Sequence, residues 1–214
     1  LFAVRVRAVV LPATPLLVAG AGGAAPPPAG LRELVAGALS ALLDDALLDD
    51  ARPGGLAVLA HRSGSRVRSG AARPSLAGAG VPPAWVPALG AWGGPGDEVA
   101  QVPASVALLC LADALEARGE HARLRDVVVH EVPPGLAERP EELEAVADAV
   151  REARGVVVAG GGVPGGLDAA PDALAPGVRA VLGRVAASWT PQVRTVAVAG
   201  DHLPPEYRVT LLRG

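Results

Sequence analysis

The chain is expected to fold as a single α/β domain: a mostly parallel sheet flanked by helices on both faces, with an antiparallel edge. Three observations predict this. Short runs of aliphatic and β-branched residues alternate with helix-period segments through most of the 214 residues, the pattern of repeated strand–helix units. The run Val156-Val157-Val158 is apolar without alternation, as a strand buried on both faces must be. It opens straight into Gly160-Gly161-Gly162-Val163-Pro164-Gly165-Gly166, a loop suited to glycine's tolerance of positive φ and close backbone approach. In α/β folds, ligands bind in loops at the carboxyl ends of strands.

Each element has its own local reason. Phe2 to Leu11 reads as the first strand, because Phe2, Val4 and Val6 alternate with Ala3, Arg5 and Arg7. Pro12 ends it, and Leu11 to Leu17 continues as a rigid extended loop. Gly20 to Pro28 is a Gly/Ala/Pro linker. Leu31, Leu34, Val35, Ala38, Leu39 and Leu42 then recur at helical spacing. Asp44-Asp45 and Asp49-Asp50 bring negative charge to the carboxyl end of that helix, where its dipole disfavours it, so fraying is expected there.

Leu56 to Ala60 is a second strand, ending in His61. Arg62 to Trp92 has no firm period, and is expected to hold edge strands or a hairpin with Trp85 and Trp92 as packing anchors. Pro103 opens a helix that runs to about Arg118. It is apolar round most of its circumference and should be the most buried helix, with Gly119 closing it. Leu124 to Val132 is a third strand carrying His130-Glu131. Pro140-Glu141-Glu142 starts a helix with acids in its first turn and Leu143, Val146, Ala147 and Val150 on one face. Pro171 to Ala187 is another, with Leu174, Val178, Val181, Leu182 and Val185 inward and Gly177 and Gly183 weakening it. Val193 to Ala199 is a strand ending in Gly200-Asp201-His202. Tyr207 to Leu212 is the last strand, expected antiparallel at an edge.

Composition bounds the function. The length suits one core, with no composition break to mark a second domain in residues 1–214. A formal net charge of −3, with Arg62, Arg66, Arg68 and Arg73 as the only arginine cluster, argues against a nucleic-acid partner. The chain has no lysine, asparagine, isoleucine or methionine, a skew that reads as high-GC coding. With one Phe, one Tyr and three Trp, its core must be built from Val, Leu and Ala. Cys110 is the only cysteine, so no intrachain disulfide forms, and its apolar surroundings mark it as a buried, inert thiol. No apolar run is long enough to cross a bilayer. The first residues have a basic start and a Gly20-Ala21-Gly22 site loosely like a signal peptide. Pro12 and Pro15 interrupt that apolar region, and the alternation favours a strand and a cytoplasmic location.

Candidate chemistry gathers at strand ends. His61, His130 and His202 each lie at or just beyond one, with Glu131 and Asp201 beside the last two. In a parallel sheet those ends share an edge. Converged, the three histidines suit iron(II) or zinc; unconverged, each simply bonds to nearby backbone. His121 follows a helix end and reads as surface. Gly160-Gly161-Gly162-Val163-Pro164-Gly165 matches the dinucleotide fingerprint, and Gly20 to Ala25 matches its variant ending in alanine. Both are followed by proline-containing loops rather than an immediate helix, so the helix N-terminus that would hold a pyrophosphate is missing. A small-molecule or nucleotide site built on Gly161, Gly162 and Gly165 stays open. No G-x-S-x-G stands in the chain, so a hydrolase nucleophile elbow is not supported.

Several segments together resemble the catalytic B-subunit superfamily of class III extradiol ring-cleavage dioxygenases, and within it the small actinobacterial forms. Leu11-Pro12-Ala13-Thr14-Pro15-Leu16-Leu17-Val18 is similar to that family's Cys-Pro-His-Pro-Pro-Leu-Leu segment. Leu56 to His61 with Arg66 to Gly80, Val102 to Val106, and Val156 to Ala186 resemble its second strand and loop, the entry to its buried helix, and its later strand, glycine turn and helix. Asp201 to Val209 resembles its closing Asp-Ala-Pro-Tyr-Gly-Val segment. The resemblance implies an iron(II) held by two histidines and a glutamate, with a further histidine as acid/base. Its first ligand position falls on Ala13, which cannot bind metal, and its second on His61. The acid/base position falls near Gly165, and no glutamate is placed. The resemblance therefore implies a catalytically degenerate member acting as a binding protein or assembly partner, alone as a homo-oligomer or with a partner subunit. Two alternatives stay open: an active metal-dependent enzyme using His61, His130 and His202, and a metal-free module using the glycine loop.

Overall fold

In the computed structural model, seven strands form one mixed sheet in the order β3-β4-β2-β5-β1-β7-β6. The structure describes residues 4–22, 30–47, 54–94, 96–160, 174–198 and 203–214. The strands are β1 (Val6–Pro12), β2 (Leu56–His61), β3 (Arg68–Gly70), β4 (Val128–Val132), β5 (Gly155–Gly160), β6 (Thr190–Ala197) and β7 (Glu206–Arg213). The helices are α1 (Leu31–Leu47), α2 (Pro87–Gly90), α3 (Val102–Glu116), α4 (Pro140–Glu152) and α5 (Pro176–Val185). The central strands β4, β2, β5 and β1 pair in parallel, while β3 on one flank and β7 and β6 on the other pair antiparallel. The expected fold class is therefore the observed one.

Side-chain alternation along the central strands divides the core in two. Val9, Val58 and Val157 face α1 and α3 in one cluster, with Leu39, Leu42, Leu108 and Leu109. Ala8, Leu59, Val156 and Val158 face α4 and α5 in the other, with Val146, Val150, Val178 and Val181. Burial on both faces is why these strands read as unbroken apolar runs. Each buried Val or Leu contributes about 1.5–3 kcal/mol of transfer free energy, so small side chains suffice where two faces are filled. α3 is buried from Ala104 to Ala112, and Gly119 follows it at φ +71, the left-handed conformation of a helix stop.

Several elements differ from expectation, each for a local reason. α1 does not fray at its acids but runs on to Leu47. Asp45 Oδ2 accepts the Val6 N–H at 2.7 Å, and Asp44 Oδ1 accepts from Arg118 at 2.7 Å. Tertiary partners thus offset the unfavourable dipole. β4 begins only at Val128, because His121 to Asp126 turn as a 3-10 helix. β7 is antiparallel as expected, but it lies inside the sheet and β6 forms the edge. α5 starts at Pro176 rather than Pro171. Gly177 has a packing role in that helix; a Cβ there would sit 2.1 Å from the Pro133 carbonyl oxygen, so glycine permits α5 to rest on the loop after β4. Trp92 packs on the core as an anchor, whereas Trp85 is 54% exposed and anchors nothing.

Candidate functional site

The parallel strands β1 and β2 end at Pro12 and His61 beside the amino-terminal end of α3. Between them lies a cleft of about 740 Å³, of ligand-pocket size. Ala13, Pro15, His61 and Ser63 line one side of it, and Ala77 to Ala79 and Val99 to Pro103 the other. The Ala13 N–H donates to the Gly160 carbonyl at 2.5 Å, which brings the start of the glycine run to the same rim. Tyr207, buried on β7, lies beside Thr14 in the loop after β1. Burial raises the phenol's pKa, and Thr14 partly offsets the rise.

His61 is the only imidazole, thiol or carboxylate side chain among the described residues lining the cleft. Its Nδ1 is buried without a hydrogen-bond partner. Burial lowers its pKa, with a backbone contact to Val132 opposing, so the ring is neutral near pH 7. A neutral imidazole offers one donor and one acceptor. An unpaired buried nitrogen is the kind of group a ligand satisfies.

Gln101 builds the facing wall. It stands at the cap of α3, and its side-chain oxygen accepts from Ser63 N–H at 2.8 Å and Ser63 Oγ at 3.1 Å. Its amide nitrogen donates to the Ser63 carbonyl at 3.2 Å. The Gln101 backbone N–H in turn donates to Glu131 Oε1 at 2.6 Å. The loop after His61 is thereby clamped to α3, and α3 to β4. Neither Gln101 nor Ser63 was legible as a site residue; the only signal was a glutamine two residues ahead of the helix-opening Pro103.

The other expected site residues divide sharply. Glu131 is wholly buried, and beyond Gln101 its Oε2 lies 3.5 Å from Arg68 Nη1. Arg68 also donates to the Val99 carbonyl at 2.7 Å and pairs with Glu98 at 2.9 Å. So the arginine cluster's most central member supports the fold and does not grip a phosphate. His130 points to the opposite face of β4, 5% exposed, with Nδ1 2.9 Å from Ser69 Oγ on β3. Burial lowers its pKa too. Strand register sets His130 beside Leu59 and His61 beside Val132, so the two histidines share a face but sit two rungs apart. Gly161, Gly162, Gly165, Asp201 and His202 lie outside the described residues. Among the described residues no three His, Cys, Asp or Glu side chains are grouped to hold a metal ion. The described wall of the cleft, with alanine at position 13 and one histidine, does not fit the iron(II) that the resemblance implies.

A second groove of about 740 Å³ runs between α1 and α3, away from the strand ends. Three of its charges are paired, Arg118 with Asp44 at 2.7 Å and Arg32 with Asp113 at 3.9 Å. Its thiol, Cys110, is 7% exposed and pushed up to about 12, mainly by burial, so it offers no nucleophile. His121 is at the surface, 3.1 Å from Glu116. None of the helices among the described residues is long and apolar enough to cross a membrane.

Compared with known proteins, the chain matches no family model, no curated protein and no solved structure.

Proposed function

We propose that the chain is a divergent, catalytically degenerate relative of the class III extradiol dioxygenase B-subunit superfamily. It acts by binding a small, largely apolar molecule in the cleft beside His61. One observation carries this. Ala13 and His61, the positions on which the family's two histidine ligands fall, line a single cleft, yet only His61 can ligate. This supports reading the cleft as the frame of such a site, with alanine at the first ligand position. Alanine, glycine, valine and proline walls suit an apolar, ring-sized ligand, and the His61 ring is the one imidazole among the described lining residues that can give it a directional contact. The ligand is held in place, with no bond made or broken. Partner assembly is compatible with this role, since binding needs no turnover.

The test combines metal analysis with oxygen uptake. Freshly purified chain is expected to carry no near-stoichiometric iron or zinc and to consume no oxygen with a panel of catechols. Stoichiometric metal that His61→Ala removes, or oxygen uptake with any catechol, would overturn the proposal. A nucleotide site on the glycine loop would instead give a thermal shift with nucleotide that Gly162→Val abolishes.

A further inference from the structure

We propose that two copies of the chain pair β6 against β6, antiparallel about a two-fold axis at Val193, so that the sheet continues across the interface. This is independent of the cleft. β6 ends the sheet, and its eight residues from Thr190 to Ala197 are matched one for one by β7 on the inner side alone. The outer side therefore presents a row of backbone donors and acceptors, which only another extended strand satisfies in full. The strand is also bare on its faces. Thr190, Pro191, Gln192, Val193, Thr195 and Ala197 are all exposed, and Val193 is 55% exposed.

The opposite edge shows what protection looks like in the same molecule. β3 has only three residues, and its Arg68 is tied to Glu98 and Glu131. β6 has almost none of those devices. It holds no lysine and no acid, and its one breaker, Pro191, falls opposite Thr195 of the second copy in the pairing centred on Val193, where it leaves one carbonyl per strand without a donor.

Side-chain order selects a second copy as the occupant. In an antiparallel sheet, facing residues share a face, so a two-fold normal to the sheet must pass through one residue paired with its own copy. Centred on Val193, the pairing sets Val193 on Val193, Gln192 opposite Arg194, Pro191 opposite Thr195 and Thr190 opposite Val196. The exposed apolar residue is covered, and the lone cation meets an amide oxygen. Centred on Arg194, it would set arginine on arginine, which is destabilising. Centred on Thr195, it would leave Arg194 against Val196.

Sedimentation velocity of the full chain, from low to high micromolar concentration, tests this. The expected result is a concentration-dependent monomer–dimer equilibrium. Val193→Lys, which places like charges face to face, should weaken it by about tenfold or more with the far-UV spectrum unchanged. Val193→Cys should cross-link between copies under mild oxidation, and Thr195→Cys should not, because only the central residue meets itself. A wild-type chain that stays monomeric throughout would overturn the proposal. So would Val193→Lys associating as wild type does, or Thr195→Cys cross-linking as readily as Val193→Cys.

Discussion

β2 and β4 run side by side and in parallel, both end in polar side chains, and the two ends do opposite work. At the end of β4 most buried polar groups are engaged: Glu131 Oε1 accepts from Gln101 and His130 lies against Ser69, while Glu131 Oε2 has only an ion-pair contact with Arg68 at 3.5 Å and no hydrogen bond. At the end of β2, His61 keeps an unpartnered nitrogen against a cleft. Burying a polar group costs about 1–3 kcal/mol unless it is hydrogen-bonded. The β4 end meets most of that cost within the fold, with Arg68 as a counter-charge for Glu131 Oε2, whereas His61 Nδ1 at the β2 end has neither a hydrogen bond nor a counter-charge among the described residues. The proposed ligand role of His61 rests on that difference. Placement at a strand end is therefore not enough to mark a functional histidine.

The contrast can be broken most forcefully at Glu131. Glu131→Leu strands the Gln101 N–H and leaves Arg68 with only Glu98 and the Val99 carbonyl, and should cost about 3 kcal/mol by chemical denaturation. Glu131→Gln should cost less, since its amide oxygen still accepts from Gln101. Next comes Gly177→Ala, which drives a methyl group into the Pro133 carbonyl below the end of β4; a loss of about 2 kcal/mol is expected. Ser69→Ala, by orphaning His130 Nδ1, should remove about 1 kcal/mol.

Titration sharpens the comparison further. Burial holds both His130 and His61 below the ordinary imidazole value of 6.5. With the folded pKa below the unfolded one, their contribution to stability is full above 6.5. It is lost as pH falls through that value, because the unfolded chain takes up protons that the folded chain resists. The loss levels off once the folded pKa is passed. Denaturation midpoints measured from about pH 8 down to about pH 5 should therefore decline, and His130→Gln should flatten the decline. The smallest stability effect belongs to His61→Ala, within about 0.5 kcal/mol of wild type, although that variant should lose the ligand.

Much of the fold was legible because burial on both faces leaves a plain signature. Val156 to Val158 read as a central strand and Pro103 to about Arg118 as the most buried helix, since nothing polar interrupts the first and Val106 to Ala112 of the second is unbroken apolar. What escaped depended on tertiary partners. Asp44 and Asp45 read as a frayed helix end, and only contacts with Arg118 and Val6 hold that end in place. Gly177 read as a weak point, because no local pattern reveals a carbonyl packed against it. Within the site, His61 was singled out by its place at a strand end. His130 and Glu131 had the same signal; His130 shares the face of His61 but sits two rungs back against Ser69, and Glu131 lies on the other face against Gln101 and Arg68. Gln101 left almost no trace, because its role comes from Ser63 and Glu131 meeting it in space.

The central claim is that the cleft binds its ligand through His61 without a metal centre. The direct measurement is an NMR titration of the full chain with catechol in the presence of a chelator, following the imidazole resonances. Saturable shifts at the His61 ring, with the His130 ring unmoved and binding lost in His61→Ala, are the predicted result. A His61 ring that does not respond, or that responds only after iron(II) is supplied, would contradict it.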